Sequence, residues 1–244
     1  MVVLVTQWST FGDSVIGPGH VLESKPNQDA WISFRFGPSV GIAISAGVGS
    51  KKLANFGSRA ACRAVKLAVR KQVFTNQMPA VSEFVANVSR YWLEALGPID
   101  PDEASATCLF AYTTGTDSVV AGALGDGCIA IVGKGESVRV ISPDKTSGFL
   151  NSTRALSRTT NDRDWTTIEI PKREVKAVIM FTDGIADDLE DVTGFAREIC
   201  SQSEEIPDLV ASRHLRTMLN SWPVPKHTDD KTLACLIRKI RNDN

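Results

Sequence analysis

Four aspartates in this chain lie at the ends of apolar, strand-like segments. Asp126 and Asp183 each follow such a segment and precede a glycine, whereas Asp29 and Asp229 lie just before one. Aspartate before glycine is common in turns, so a single case has a structural explanation. Four cases beside strongly apolar segments are harder to assign to turns alone, and they suggest one acidic site.

If these strand ends converge, the carboxylates lie together in one cleft. Like charges held that close raise one another's pKa unless a cation neutralises them. Mg²⁺ and Mn²⁺ prefer such oxygen ligands, and two of these ions can hold a phosphoryl oxygen and activate water at neutral pH. The four aspartates are therefore candidate ligands for divalent metal ions.

A third apolar segment, residues 39 to 45, ends in a similar way but lacks a carboxylate. The stretch SAGVGS has the glycine-rich turn of the other two, yet Ala46 stands before Gly47 where they have aspartate. Alanine has no side-chain ligand atom. One of three similar strand ends thus departs from the pattern.

Hydrophobic periodicity predicts strands, two long helices, more strands, further helices and one final strand. Strands are predicted at residues 2 to 6, 30 to 35, 39 to 45, 105 to 113, 118 to 124, 128 to 133, 137 to 142, 167 to 170, 175 to 181 and 232 to 240. Helices are predicted at residues 51 to 74, at 80 to 96 and within 186 to 220. This order predicts an α+β fold, a central antiparallel β-sandwich flanked by helices on both faces. We expect a single domain over residues 1 to 244.

Three charged or polar segments have structural interpretations. Lys51 and Lys52 are read as the solvated first turn of a helix, although they could lie near an anionic substrate. The acidic run at residues 187 to 191 suits a solvent-facing helix start. Residues 143 to 166 predict a polar surface loop that could cover a site.

Composition excludes several classes of partner. The chain has 27 basic and 28 acidic residues and a formal net charge of −1, so no overall field favours nucleic acid or an anionic membrane. Its apolar runs are shorter than the roughly 18 residues of a spanning helix, and its N-terminal residues read as a strand rather than a signal peptide. The five cysteines have no C-x-x-C spacing and are interpreted as reduced structural thiols. We expect a cytoplasmic protein.

Five short motifs together resemble the metal-dependent protein phosphatases of type 2C. NQDA, SAGVGS, LGDG, FTDG and DDKT occur in the order and approximate spacing of that family, over nearly the whole chain. The short bacterial branch is the most similar, because a Gly-x-x-His segment ending at His20 precedes the Gln-Asp-Ala that contains Asp29. The resemblance implies a β-sandwich flanked by helix pairs, with two Mn²⁺ or Mg²⁺ ions at one end. It also implies hydrolysis of phosphoserine and phosphothreonine by metal-activated water, without a covalent intermediate.

The resemblance assigns roles to individual positions. Asp183 and Asp229 resemble ligands of one metal, and the Gly47 carbonyl resembles a ligand of the other. Asp29 resembles the carboxylate that holds a water molecule at the metal pair. Asp126 resembles the residue that, with Asp183, holds a weaker third metal in some members.

The bridging aspartate of the family, shared by both core metals, falls on Ala46. The chain is therefore expected to bind the metal pair poorly. A deliberate Asp-to-Ala change, made to give an inactive or substrate-trapping form, is favoured because the other motifs survive intact. The alternative is a natural pseudophosphatase that acts as a phosphoprotein-binding module.

Two further roles are open. Many members bind phosphate with an arginine at the position of Ser24, so His20 or Lys25 is a candidate to replace it. Larger members have a histidine proton donor at the position of Val48, which leaves water or His20 to protonate the leaving group. A phosphorylated protein is the expected substrate, and a Ser/Thr kinase or its target is a possible partner. A hydrolase of small phosphate compounds is a further alternative.

Overall fold

Two five-stranded antiparallel sheets form the centre of the protein in a computed structural model that describes residues 4–142, 154–223 and 227–242. The strands are β1 (Leu4–Val15), β2 (Ala30–Phe36), β3 (Ser39–Ser45), β4 (Cys108–Thr113), β5 (Ser118–Leu124), β6 (Cys128–Gly133), β7 (Val138–Ile141), β8 (Thr166–Pro171), β9 (Val175–Phe181) and β10 (Lys231–Asn242). The helices are α1 (Pro18–Leu22), α2 (Ala54–Thr75), α3 (Val81–Leu96), α4 (Asp183–Ala186), α5 (Val192–Ser203) and α6 (Asp208–Asn220). The first sheet has the strand order β1-β10-β9-β6-β7, and the second has the order β2-β3-β4-β5-β8.

Three apolar layers hold these elements together. Between the sheets, inward side chains such as Ile44 and Met180 are buried. Helices α2 and α3 cover the outer face of the second sheet, where Trp92 is buried, and α5 and α6 cover the first sheet through Ile199 and Leu215. The predicted α+β sandwich with helices on both faces is confirmed. The extent of the single domain remains a prediction.

The first strand is longer than its sequence pattern indicates. Residues 11 to 20 read as a connection rich in glycine and proline, yet β1 continues to Val15 and only a short link precedes α1. Strand β1 pairs with β10 from Leu4 opposite Asn242 to Val15 opposite Lys231. This pairing satisfies the backbone of residues that have little strand propensity of their own, and it cannot be seen from local sequence.

Several smaller expectations can be compared with the structure. Helix α2 begins at Ala54, so Lys51 and Lys52 lie in a turn before the helix rather than in its first turn. All five cysteines are buried, as predicted for structural thiols, and none forms a disulfide within the described part of the chain. Residues 143 to 153 of the predicted polar loop lie outside the described residues. Among the described residues, no helix is both long and apolar enough to cross a membrane.

Candidate metal centre

Strand register brings the acidic residues of the first sheet to one end. Cys128 of β6 lies opposite Phe181 of β9, so Asp126, two residues before Cys128, lies at the same end as Asp183, two residues after Phe181. Leu233 of β10 also lies opposite Phe181, which brings the segment before β10 to that end. The carboxylates are thus collected by strand pairing and not by proximity in the sequence.

The second sheet contributes the other wall. Ala30 of β2 lies opposite Ser45 of β3, so Asp29 and Ala46 extend from neighbouring strand ends. A cavity of ≈ 140 Å³ lies between the two sheet ends. It is lined by His20, Gln28, Asp29, Ala46, Gly47, Val48, Gly49, Thr107, Asp126, Asp183, Asp229 and Asp230. Seven of the eight predicted site residues therefore share one cavity, although their roles stay predictions.

Lys25 is the predicted site residue that does not line the cavity. Its side chain is 44% exposed, and its Nζ lies 2.6 Å from a carboxylate oxygen of Glu23. This placement gives no support to a role for Lys25 in phosphate binding.

Asp183 lies where negative charge is most crowded. Burial, and to a lesser degree the nearby carboxylates of Asp126 and Asp229, together raise its pKa to about 7. The backbone N–H of Gly184 donates to Asp183 Oδ1 at 3.0 Å, which opposes that shift only in part. A Cβ on Gly184 would lie 2.0 Å from the Asp230 carbonyl oxygen, so glycine allows α4 to approach the Asp229 segment. Such crowding is what a bound cation relieves.

Asp29 is buried and held by a threonine. Thr182 Oγ1 donates a hydrogen bond to Asp29 Oδ2 at 2.8 Å and accepts one from the Thr232 N–H. Burial raises the pKa of Asp29 well above its usual range, and the charges of Asp230 and Asp183 act in the same direction. Thr182, the threonine of FTDG, therefore links Asp29 to the strand end that carries Asp183.

Ala46 is held firmly in the cavity wall. Its N–H donates to Thr107 Oγ1 at 2.9 Å, and its carbonyl accepts from the Thr107 N–H at 2.8 Å. Gly47 donates its N–H to the Gln28 carbonyl at 3.1 Å, and among the described residues no hydrogen bond to the Gly47 carbonyl is found. The backbone of this turn is thus fixed by hydrogen bonds, and a methyl group stands where the resemblance places the bridging carboxylate.

Asp230 is a further residue of the site, which the sequence pattern alone does not predict. It is 1% exposed and accepts three hydrogen bonds, from the Gly17 N–H at 2.7 Å, the Gln28 N–H at 2.6 Å and the His20 ring, whose Nδ1 lies 2.9 Å away. A Cβ on Gly17 would lie 2.2 Å from the Asp229 carbonyl carbon, so only glycine fits there. Asp230 therefore fastens His20 and the NQDA segment to the metal-ligand segment. Its position in DDKT was the available signal.

We expect Asp230→Ala to destabilise the protein by about 3 kcal/mol, since it leaves two buried backbone N–H groups without acceptors. Urea unfolding of the metal-free protein measures this loss. Asp229→Ala is the matched control, because the side chain of the exposed Asp229 accepts only the Asp230 N–H among the described contacts. Equal stabilities for the two variants would show that Asp230 does not have this role.

A second cluster that the sequence pattern does not predict, formed by His227, Asp188 and Trp222, contacts the backbone of Asp229 through His227. Each ring nitrogen of His227 lies beside an oxygen acceptor, Nε2 at 2.7 Å from the Asp229 carbonyl and Nδ1 at 2.5 Å from Asp188 Oδ2. Trp222 Nε1 donates to the same Asp188 oxygen at 2.8 Å. The interpretation of the whole acidic run as solvent-facing is therefore wrong for Asp188, whose side chain is 17% exposed. Tertiary contacts with a distant segment override the local pattern.

We expect His227→Ala to weaken Mn²⁺ binding about tenfold, measured by calorimetry in an Ala46→Asp background, because groups that orient metal ligands affect affinity on that scale. His214→Ala is the control, since His214 is exposed on α6. Unchanged affinity in His227→Ala would rule out this positioning role.

One buried cation lies beside the acids. Lys231 is 3% exposed, and its Nζ donates to the Asp229 carbonyl at 3.3 Å. Burial lowers its pKa, although Asp188 and Asp229 oppose that shift. The Lys231 ammonium offsets only part of the charge of the surrounding carboxylates.

Among the described residues, ligand atoms of His20, Asp229 and Asp230 lie within 4.8 Å of one another. Both Asp230 oxygens already accept hydrogen bonds, so this cluster has a structural explanation. Asp229 also lies near enough to Asp183 to raise its pKa, and these two carboxylates offer the oxygen ligands that a divalent cation prefers. They do not supply the shared carboxylate that a close pair of ions requires.

The family model of protein phosphatase 2C matches residues 16–220. This chain belongs to the protein phosphatase 2C family. No curated protein sequence matches the chain at a significant level. Relationships to solved structures are distant in sequence and agree in fold.

Three solved structures illustrate that agreement. The PP2C phosphatase domain of SpoIIE from Bacillus subtilis, with a fragment of its regulatory domain, has a TM-score of 0.63 and 14% identity, and the alignment covers 98% of this chain but 66% of that one. A bacterial serine phosphatase has a TM-score of 0.64 and 14% identity, with 98% and 100% of the two chains covered. The catalytic domain of the serine/threonine phosphatase PstP, in complex with two manganese ions, has a TM-score of 0.60 and 16% identity, with 97% and 100% covered.

Proposed function

We propose that this chain is a metal-dependent protein phosphatase of the short bacterial branch, acting on phosphoserine and phosphothreonine, in which Ala46 disables the metal pair. The observation that carries the proposal is the cavity shared by Asp29, Asp126, Asp183 and Asp229. Family membership and the manganese-bound PstP structure support a divalent metal, Mn²⁺ or Mg²⁺.

The donors divide between two positions. Asp183 and Asp229 would hold one ion, and Asp126 would add a weaker ligand beside Asp183. The Gly47 carbonyl would serve a second ion. Divalent cations bound at such oxygens act as Lewis acids on the phosphoryl group and lower the pKa of water. The first position would have two carboxylates as ligands, whereas the second would lack a side-chain oxygen because Ala46 offers none.

Asp29 would act as the proton acceptor. Thr182 donates to its Oδ2, and the carboxylate held in this way would orient the attacking water and accept its proton. Because burial raises the pKa of Asp29, the carboxylate is a stronger base than an exposed aspartate.

His20 would act as the proton donor. With Nδ1 held by Asp230, the other ring nitrogen, Nε2, is the atom that can protonate the leaving oxygen of the substrate or bind its phosphate. Asp230 would then act as a positioning residue that fixes the tautomer and orientation of the ring.

Ala46 also supports the alternative, a natural pseudophosphatase that binds a phosphorylated protein without hydrolysing it. A deliberate Asp-to-Ala replacement remains our preferred origin, because every other carboxylate of the motif set is present. A kinase or its target as partner and a cytoplasmic location stay predictions.

Substrate comparison in Ala46→Asp tests the proposal. With Mn²⁺ present, we expect phosphoserine and phosphothreonine peptides to be hydrolysed with higher kcat/KM than nucleotide or sugar phosphates. Preference for the small compounds would favour the alternative hydrolase. Peptide binding by both forms of the chain, without hydrolysis by either, would favour the binding module.

A further inference from the structure

A groove of ≈ 320 Å³ opens beside the cavity of the candidate metal centre and shares Val48 with it. We call it the side groove. It is lined by Val48, Lys51, Ser105, Leu124, Arg154, Ala155, Ser157, Thr159, Thr160 and Asp164. A chain that places a phosphorylated residue in the cavity could extend into this groove.

The wall of the side groove is fixed to the metal-binding turn. Ala106 forms β-bridges with both Gly47 and Leu156, and the Leu156 N–H donates to the Ala106 carbonyl at 2.8 Å. Leu156 is fully buried. Arg158 ties the same segment to Asp100 through a 2.8 Å ion pair. Residues 154 to 160 are thus held at a set distance from the turn that contains Ala46.

Hydroxyl groups of this segment are also preorganised. Thr160 Oγ1 donates to the Ala155 carbonyl at 2.9 Å and accepts from the Ser157 N–H at 2.9 Å. The groove therefore does not need to fold around a ligand, which lowers the entropic cost of binding.

Charge in the side groove is opposite to that of the cavity. Lys51 and Arg154 line it, and within the described part of the chain neither forms an ion pair. Asp164 is the one acid of the lining, and its Oδ2 accepts the Asn161 N–H at 2.9 Å. The side groove is therefore suited to binding an anion directly. The acidic cavity, in contrast, can bind an anion only when it also holds cations.

We propose that the side groove binds an anionic side chain of the substrate polypeptide, next to the phosphorylated residue. The inference deepens the proposed function and rests on it. Lys51 and Arg154 provide charge-assisted hydrogen bonds to a carboxylate or a second phosphoryl group. The preferred substrates are then acidic phosphopeptides.

Kinetics of Ala46→Asp with Mn²⁺ test this specificity. Three phosphoserine peptides are compared, flanked by alanine, by aspartate, or by a second phosphoserine. We expect kcat/KM to be roughly tenfold higher for an anionic flank, the scale of two partly exposed ion pairs. The two anionic arms distinguish a carboxylate from a phosphoryl ligand.

Lys51→Ala and Arg154→Ala should each lower this preference about threefold. Lys52→Ala and Arg163→Ala are the matched controls, because both side chains are exposed and do not line the groove. Fluorescence anisotropy of labelled peptides with each variant gives an independent measure of affinity.

Different results would reject the side-groove assignment and the proposed function. Hydrolysis without preference for anionic flanks, or a preference that the control variants lower as much as Lys51→Ala does, would overturn the side-groove assignment alone. Absence of hydrolysis of every phosphate compound by Ala46→Asp would instead reject the proposed function.

Discussion

Replacing Ala46 by aspartate is expected to give Mn²⁺-dependent hydrolysis of 4-nitrophenyl phosphate at least about 10³-fold above the chain as it stands. A bridging carboxylate lets two cations share one site, and the charge stabilisation they supply amounts to several kcal/mol, or three or more factors of ten in rate. Initial rates with and without Mn²⁺, for both forms, measure the effect.

Local structure favours this gain. Ala46 is 8% exposed on the cavity wall, and Thr107 holds both its N–H and its carbonyl, so the backbone is already fixed for a new side chain. Ala46→Asn is the control, because its side chain has nearly the same shape without the charge. Equal activity in the Asp and Asn variants, or none in either, would contradict the role given to position 46.

The second large effect is a dependence of stability on pH through Asp183. Its pKa in the folded protein is about 7, against 3.8 for an ordinary aspartate. Between these values the folded state binds more protons than the unfolded state, so the free energy of unfolding falls as pH rises. Three units at 1.36 kcal/mol each give about 4 kcal/mol of destabilisation, complete above pH 7.

Asp183→Asn should remove this penalty. In the presence of a chelator, we expect the variant to be more stable than the parent by up to about 4 kcal/mol at pH 8 and nearly equal to it at pH 4. Urea unfolding across that range measures the difference. Asp162→Asn, an exposed carboxamide replacement in the 3₁₀ turn of residues 162–164, controls for general effects. A stability difference that does not change with pH would show that Asp183 ionises normally.

Much of the fold follows from sequence because its strands and helices carry strong local patterns. The runs that became β3, β5 and β9 are almost continuously apolar, and their predicted bounds agree with the structure. The predicted first strand is too short, because the residues after Thr6, up to Val15, also form strand through pairing with β10 near the other end of the chain. Pairing between distant segments leaves no local signal.

The candidate site, like the fold, could be predicted from the sequence only in part. Carboxylates in short motifs, such as Asp126 and Asp183, were visible because aspartate is unusual beside apolar strands. The residues that hold the site together could not be recognised from the sequence. The role of Asp230, for example, depends on three hydrogen-bond donors from a segment some 200 residues earlier in the chain. His227 and Asp188 likewise meet only in the folded protein.

Calorimetric titration with Mn²⁺, on this chain and on Ala46→Asp, tests the central claim most directly: carboxylates gathered at one end of the sandwich form a metal centre that lacks its shared ligand. We predict two ions per molecule for Ala46→Asp, and at most one, bound at least about tenfold more weakly, for the chain with alanine. Identical stoichiometry and affinity for the two forms would contradict it.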